Sequence, residues 1–487
     1  MDKTKLKKAV IVGAGISGLS TAYYLRKKAD EAGVPVEIEI LEAENRPGGK
    51  IITDRVHGFI CEGGPNGFLD NRPWCMALAK EIGLGDELYP ANAEAGKRFI
   101  VLSGRLQVVP ESALAFFFSP ILSVKGRLRV LAEPFMPRGA EGADETIGAF
   151  GRRRIGAEAV VKLLDPMVSG VFAGDVEKLS AGSCFPRIVE MEHEHGSLVR
   201  AMLKLRREAR GKSAGGEPAS GARKAGPAGP GGTLYSFREG VHAIVERLAE
   251  KAGDALRTSC RVAAVETEEG SGGAGGFVLR FENGSGMAPA RADAVVLAAP
   301  AFSTRSILKN LSGEIAAELG EIPYAPMAVV CTGFARAAVG HPLDGYGFLA
   351  PRREGMRLLG TLWTSSIFPN RAPGGSVLLR NMTGGAHDLR TPFLDDAELT
   401  AVVLEELKPL LGITGKPSFV KIYRWRNAIP QYVVGHGERL RRMENILGAR
   451  HPGLFLTGNA YRGIAMNDCV EDAAKTAERV LRFLTAE

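Results

Sequence analysis

Nowhere does this sequence hold the ~18 uninterrupted apolar residues that a membrane-spanning helix requires. Its six cysteines, Cys61, Cys75, Cys184, Cys260, Cys331 and Cys469, are scattered and form no CxxC pair. Neither a disulfide framework nor a zinc site follows from such spacing, and reduced thiols in a cytosolic compartment are expected. Basic residues outnumber acidic ones, 62 to 55, for a net charge of +7 and a pI of about 9.0. They form no long run and no stripe interleaved with aromatics, which make up only 7% of the chain. Nucleic acid is therefore the weakest partner class that a basic balance suggests, behind anionic lipid and acidic small molecules. The start MDKTKLKKAVIVGAG runs directly from basic residues into a strand without a small-residue cleavage site, so no secretory signal is expected. Also missing is any Ser/His/Asp constellation or carboxylate pair suited to acid–base catalysis. His193 and His195 (MEHEHG) stand two residues apart and diverge on a helix, so no metal is assigned.

What is present starts with a βαβ unit over residues 8–49. KAVIVG reads as a short apolar strand, GAGISGLSTAYYLRKKADEAG as a glycine turn and helix, and VPVEIEILEAE as a second strand. That order implies a parallel sheet. ADAVVLAAP (292–300) and GLFLTG (453–458) read as further buried strands of the same sheet. The fold class is thus α/β, with a discontinuous Rossmann-like domain over 1–90, 235–305 and 448–487. Residues 306–447, containing AVVCTGF, RLLGTLW and SVLLRNM, read as a mixed α/β second domain, and 91–205 as mainly helical. The Gly/Ala/Pro/Ser-rich segment 208–233 cannot bury enough surface to offset its ordering entropy and reads as a flexible surface loop.

Gly13-Ala14-Gly15-Ile16-Ser17-Gly18 is GxGxxG between a strand and a helix. Gly13 permits the turn, Gly15 lets backbone approach a pyrophosphate, and Gly18 lets the helix pack closely, with its N-terminus facing the phosphates. Glu42 ends the next strand, where a carboxylate accepts hydrogen bonds from a ribose. Arg46-Pro47-Gly48-Gly49-Lys50 separates FAD from NAD: adjacent glycines let a second loop close over the pyrophosphate, braced by Arg46. This RxGG extension resembles FAD enzymes related to amine oxidases and desaturases. Gly64-Pro65-Asn66-Gly67, in EGGPNG, follows where that group brings backbone to the flavin ring.

The match then becomes specific. GAGISGL, EGGPNGF, KRFIVLSGRLQVVP, ESALAFFFSPILSVKGRLRVLAEPF, DETIGAFGRRRIG, SGVFAGDVEKLS, GYGFLAP, GTLWTSSIFPNRAP and GNAYRGIAMNDC occur in this order. Across nearly the whole chain except 208–233, the sequence resembles the protoporphyrinogen oxidases, oxygen-dependent FAD enzymes of haem synthesis. The resemblance implies an FAD domain, a substrate domain and a helical membrane-binding domain. It implies that Arg98 meets a substrate propionate, that the backbone of Gly170 approaches the pyrrole NH groups, and that Leu349 and Leu362 sandwich a macrocycle ring. Met382 lies where some members carry an aromatic ring, and Tyr346 replaces a common phenylalanine, adding a hydroxyl. Val262, Asn459, Ile464, Ala465 and Met466 join the cofactor set. The closing helix, capped by Asn467 or Asp468, then faces the flavin N1–O2 edge with its positive end. Cys469, inside its first turn, packs, leaving FAD non-covalent.

The reaction implied is six-electron oxidation of protoporphyrinogen IX to protoporphyrin IX, as three two-electron hydride transfers to flavin, with O2 as acceptor and H2O2 as product. Coproporphyrinogen III is the nearest alternative substrate; a flavin amine oxidase, a carotenoid desaturase and a non-enzymatic porphyrin carrier are further off. The uncharged run 112–124, SALAFFFSPILSV, followed by Lys125, Arg127 and Arg129, suits one-leaflet insertion. Expected partners are a porphyrinogen, O2 and a membrane surface, with a homodimer left open. The expected location is cytoplasmic, peripherally on the inner face of the cell membrane.

Overall fold

A computed structural model describes residues 6–110, 115, 118–140, 142–212, 231–268, 276–282 and 288–486. At its centre lies a five-stranded parallel sheet. In spatial order its strands are Leu256–Arg257, Val36–Leu41, Lys7–Val12, Ala294–Leu297 and Leu454–Leu456. Numbered along the chain this is 3-2-1-4-5, a doubly wound order whose direction reverses beside the strand Lys7–Val12. Three distant stretches of chain therefore build one sheet, and ADAVVLAAP and GLFLTG take their expected places in it.

Alternation along the strands separates the two faces. Ala9, Ile11, Ala294 and Val296 pack against the helices Ile16–Ala32, Ala243–Ala252 and Met466–Thr485. Val10, Val12, Val295 and Leu297 face a second core containing Val265, Phe277, Ile315 and Met443. Strands buried on both faces read as continuous apolar runs for this reason.

A seven-stranded sheet forms the second part, in the order Phe419–Pro430, Tyr324–Ala335, Ser376–Gly384, Leu358–Leu362, Gly345–Leu349, Lys97–Leu102 and Arg105–Val108. The last two lie in the region expected to be helical. Lys97–Leu102 pairs in parallel with Gly345–Leu349, so the helical part begins after Val108 rather than at 91. The runs KRFIVL and RLQV alternate, and pairing with a distant strand captures them. One face of this sheet is covered by the helix Asp396–Leu411 through Leu399, Val403, Leu407 and Leu411. On the other face Leu378, Arg380 and Met382 point toward the first domain, as their two-residue spacing dictates.

The third part holds the helices Ile147–Ile155, Asp165–Phe172, Pro186–His195 and Leu198–Lys212. Its centre is an ion-pair cluster in which Arg154, fully buried, meets Glu133 and Glu192. The segment expected as a loop over 208–233 contributes its first residues to a helix ending at Lys212; residues 213–230 lie outside the described residues. Of the uncharged run, residues 112–114, 116 and 117 also lie outside them.

Candidate functional site

The glycine turn sits at the reversal point of the parallel sheet. Gly13 has φ +103°, and a Cβ there would stand 3.2 Å from the backbone of Ala298, just past the neighbouring strand. A Cβ on Gly18 would fall 1.9 Å from the Gly13 carbonyl oxygen, so only glycine lets the helix start this close to the turn. Around Gly15, by contrast, a Cβ would meet nothing within 4 Å: this glycine faces open space. Gly15 caps the helix without a side-chain hydrogen bond, and no acid occupies the first turn. The amide groups of Ile16, Ser17 and Gly18 thus form an uncompensated positive end suited to phosphate.

Two further loops close on that turn. Gly48 N–H donates to Ala14 O at 2.8 Å, and a Cβ on Gly49 would lie 3.7 Å from Gly15 Cα. Arg46 braces the second loop, donating to Pro47 O and Gly49 O at 3.1 and 2.9 Å. Glu42 accepts from Ala14 N–H at 2.7 Å and from Glu44 N–H at 2.9 Å. Its carboxylate therefore holds the turn together in addition to the ribose role expected of it. Val262 has its side chain in the second core. The chain just before it runs along the same acid: Cys260 N–H donates to Glu42 O and Ser259 N–H to Glu44 O.

The EGGPNG loop lies against Lys50. A Cβ on Gly64 would stand 1.9 Å from Lys50 O, and one on Gly67 would stand 2.3 Å from Tyr235 O. Pro65 lies between them. Both polar atoms of the Asn66 carboxamide are buried with no hydrogen-bond partner. Lys50 is half-buried, and its ammonium has no carboxylate at ion-pair distance among the described residues; it donates to Ala428 O and lies 5.1 Å from the Tyr324 ring centroid. Burial pushes it down to about 8.

The closing loop completes the arrangement. Gly458 lies beside Ser17 Oγ, 3.8 Å from where its Cβ would be. Tyr432 O–H donates to Asn459 O at 2.7 Å and accepts from Gly463 N–H at 2.9 Å. The Tyr432 ring stacks on His436 at 4.1 Å, and the His436 Nε2–H donates to Tyr461 O at 3.1 Å. Burial pushes this imidazole down to about 4, because protonation would add a second buried N–H at Nδ1, which has no partner. Ala465, not Asn467 or Asp468, is the N-cap; Asp468 sits three residues on and accepts from the Ala465 N–H at 3.1 Å, as the third residue of a capping box does. Asn467 does not cap. Its carboxamide accepts from Cys75 N–H and donates to Leu69 O, tying the helix to the segment after EGGPNG. Ile464 leans on the core of the helical part, while Met466 and Cys469 enter the core beside the first helix.

The residues expected at the substrate also come together. Gly347 lies opposite both Arg98 and Leu362, and the Arg98 guanidinium sits 5.4 Å from the Tyr346 ring centroid. Leu349 covers Gly170: a Cβ there would be 2.5 Å from Leu349 Cδ2. Leu362 and Met382 share one cluster with Ala173, Leu359 and Trp425. Sequence reasoning missed Arg380, Arg371, Tyr432 and Trp425. Arg380 donates to Glu62 O and Gly64 O, and Trp425 Nε1–H donates to Gly63 O at 2.8 Å. One signal pointed to Arg380, a charge in the middle of the apolar strand SVLLRNM.

A model of the flavin-containing amine oxidoreductases matches residues 16–481. The chain belongs to this family. Flavin-containing amine oxidoreductases are oxidoreductases, and the family brings a flavin cofactor to this chain. Among relatives, a chloroplastic protoporphyrinogen oxidase of rice (Oryza sativa subsp. japonica) is 34% identical, over 98% of this chain and 88% of its own. The coproporphyrinogen III oxidase of Bacillus subtilis is 29% identical, over 98% of both. A solved Exiguobacterium structure assigned as a protoporphyrinogen oxidase superposes with a TM-score of 0.80 at 27% identity, covering 99% of each chain. The residues present fit a flavin of this family. Gly15 opens onto free space, the first helical turn is uncapped, and the Asn66 carboxamide is buried without a partner.

Proposed function

We propose that this flavin-containing amine oxidoreductase oxidises protoporphyrinogen IX to protoporphyrin IX in porphyrin and haem synthesis, using non-covalent FAD and O2 and releasing H2O2. Full-length similarity to protoporphyrinogen oxidases carries the reading. The gathering of Arg98, Tyr346, Leu362 and Met382 on neighbouring strands of one sheet supports it. FAD is favoured by the two glycine loops that close on one helix N-terminus, with Glu42 at the ribose end. Cys469 packs in the core beside the first helix, which favours a non-covalent cofactor.

When bound, the flavin supplies the electron acceptor. This chain's residues bind and orient the substrate: Arg98 meets a propionate, while Leu349, Leu362 and Met382 cover ring faces and exclude water. Gly170 lets backbone approach the pyrroles; a Cβ there would press on the tip of Leu349, 2.5 Å away. The similarity to coproporphyrinogen III oxidases favours coproporphyrinogen III as the second candidate.

Anaerobic addition of protoporphyrinogen IX should bleach the flavin, and air should then release porphyrin fluorescence; absence of both rejects the proposal. Side-by-side kcat/KM values for protoporphyrinogen IX and coproporphyrinogen III decide between the substrates. Arg98→Ala should lower kcat/KM about 10- to 100-fold, the worth of a charged hydrogen bond. Flavin content should stay intact, and its loss would make Arg98 structural.

The membrane role belongs to the same proposal. Val124, Leu128 and Leu131 fall on one exposed face of the helix Val124–Leu131, flanked by Phe118 and Phe135, which are 71% and 80% exposed. Lys125 is exposed beside them, whereas Arg127 and Arg129 are half-buried and donate to Leu122 O and to the carbonyls of Arg152, Arg153 and Arg154. An apolar stripe with an exposed cation beside it suits insertion into one leaflet at the cytoplasmic face. Each such side chain buried contributes about 1.5–3 kcal/mol. The double variant Phe118→Glu/Leu128→Glu should therefore reduce flotation with anionic phospholipid vesicles at least ~10-fold. Unchanged flotation would remove the membrane from the proposal.

A further inference from the structure

Beneath the EGGPNG loop lies a buried charge excess that no ion pair cancels. Glu62, Arg371 and Arg380 are 1%, 0% and 6% exposed. The Glu62 carboxylate accepts from Thr53 Oγ1–H at 2.7 Å and Val241 N–H at 2.9 Å, with Arg371 4.0 Å away. The Arg371 Nη groups donate to Arg238 O, Asn370 Oδ1, Phe237 O and Ser236 Oγ, which anchors the strand Leu234–Phe237, while its Nε–H has no partner. Arg380 has no carboxylate at ion-pair distance among the described residues. Its Nε–H donates to Glu62 O at 3.0 Å, one Nη donates to Gly64 O at 2.5 Å, and the other lies 3.5 Å from Met382 Sδ. The remaining groups that face it are the thiols of Cys61 and Cys331 and the phenol of Tyr423. The single carboxylate thus stands at ion-pair distance from Arg371 alone, leaving at least one positive charge in a desolvated wall.

Such a charge is costly unless something offsets it. The guanidinium draws the carbonyls of Glu62 and Gly64 to its own side, and Trp425 draws that of Gly63. Asn66, with its unpartnered carboxamide, lies beyond this pinned stretch. On the flavin site proposed above, with the EGGPNG loop against the ring, two effects follow from one side chain: the loop carbonyls are held on the far side, and a positive charge stands behind the loop. Reduced flavin is anionic, so a charge at that place favours the reduced form over the oxidised one.

We propose that Arg380 is a positioning residue for the flavin, fixing the EGGPNG loop and raising the reduction potential of the bound cofactor. The inference rests on the flavin site described above. It concerns the tuning of that site and is independent of which porphyrinogen is oxidised.

The test compares Arg380→Met and Arg380→Lys with the parent holoprotein. Flavin content is read from the visible spectrum, potential from equilibration with redox dyes, and sulfite affinity by titration, since the sulfite adduct at flavin N5 is also anionic. Arg380→Met should bind sulfite at least ~10-fold more weakly. Its potential should fall by about 30 mV for each tenfold loss in relative affinity for reduced flavin, the value for a two-electron couple. Arg380→Lys should recover most of both. A methionine variant that loses flavin while the lysine variant keeps it also supports the proposal. It is overturned if Arg380→Met holds flavin with unchanged potential and sulfite affinity, or if the lysine and methionine variants are equally impaired. A parent protein that binds no flavin would instead reject the flavin site itself.

Discussion

Gly18→Ala should give a protein without flavin colour. The added methyl would stand 1.9 Å from the Gly13 carbonyl oxygen, which is backbone and cannot turn aside, with Ala298 Cβ 3.3 Å away. The helix Ile16–Ala32 must then retreat from the turn, carrying its uncapped N-terminal amides away from the phosphate position. Overpacking of this kind costs about 1–3 kcal/mol in stability, and a displaced anion site costs affinity as well. Flavin per polypeptide should fall at least ~10-fold, with a lower thermal midpoint. Gly15→Ala separates the two effects. Nothing lies within 4 Å of its Cβ, so the flavin-free protein should keep its thermal midpoint while flavin binding is lost. If both variants bind flavin normally, the pyrophosphate does not sit on this turn.

Glu133→Ala should cause the largest loss of stability. The Glu133 carboxylate meets the fully buried Arg154 and accepts from Ser197 Oγ–H at 2.6 Å, Leu198 N–H at 2.9 Å and Val199 N–H at 3.2 Å. It thereby serves the first turn of the helix Leu198–Lys212 as well as the ion pair. Removing one partner of a buried pair costs about 3–5 kcal/mol, because the remaining charge stays desolvated. Glu192, 3.2 Å from Arg154, retains part of the compensation.

Urea unfolding measures the effect, and a loss below about 1 kcal/mol would show that the cluster is solvated. Replacing both partners, Glu133→Leu with Arg154→Met, should recover part of the loss. Acid acts in the same direction. Burial alone would raise Glu133, but hydrogen bonds from Ser197 and Arg154 hold it below the ordinary carboxylate range. Its contribution is complete above the unfolded value of about 4.3 and disappears as pH falls through the lower folded value.

How much of this could be read along the chain differs between the two ends of the site. GAGISG, Glu42 and RPGGK announced themselves because each lies within a few residues of the strand or helix that positions it. Their glycines answer to local torsion angles and to close approaches within one βαβ unit. The closing loop was legible as a helix start, but its caps were only half so. Asp468 bonds back three residues to Ala465, whereas Asn467 reaches almost four hundred residues away to Leu69 and Cys75. No local pattern distinguishes those two side chains. KRFIVL was misplaced with the helices for a related reason: its partner strand, Gly345–Leu349, lies some 250 residues later.

The sequence by itself determined the glycine turn of this protein, the parallel sheet that carries it and its resemblance to porphyrinogen oxidases. These depend on short-range periodicity and on residues whose backbone freedom is intrinsic. Only the tertiary structure decided which side chains stand behind the EGGPNG loop. Arg380 faces the EGGPNG loop because its strand pairs in one register between Tyr324–Ala335 and Leu358–Leu362; a shift of one residue would turn Asn381 there instead. Arg371 and Tyr432 reach their carbonyls across domains in the same way. Register and docking are collective, set by whole faces burying at once, and so the charge they place under the loop is a property of the folded chain alone.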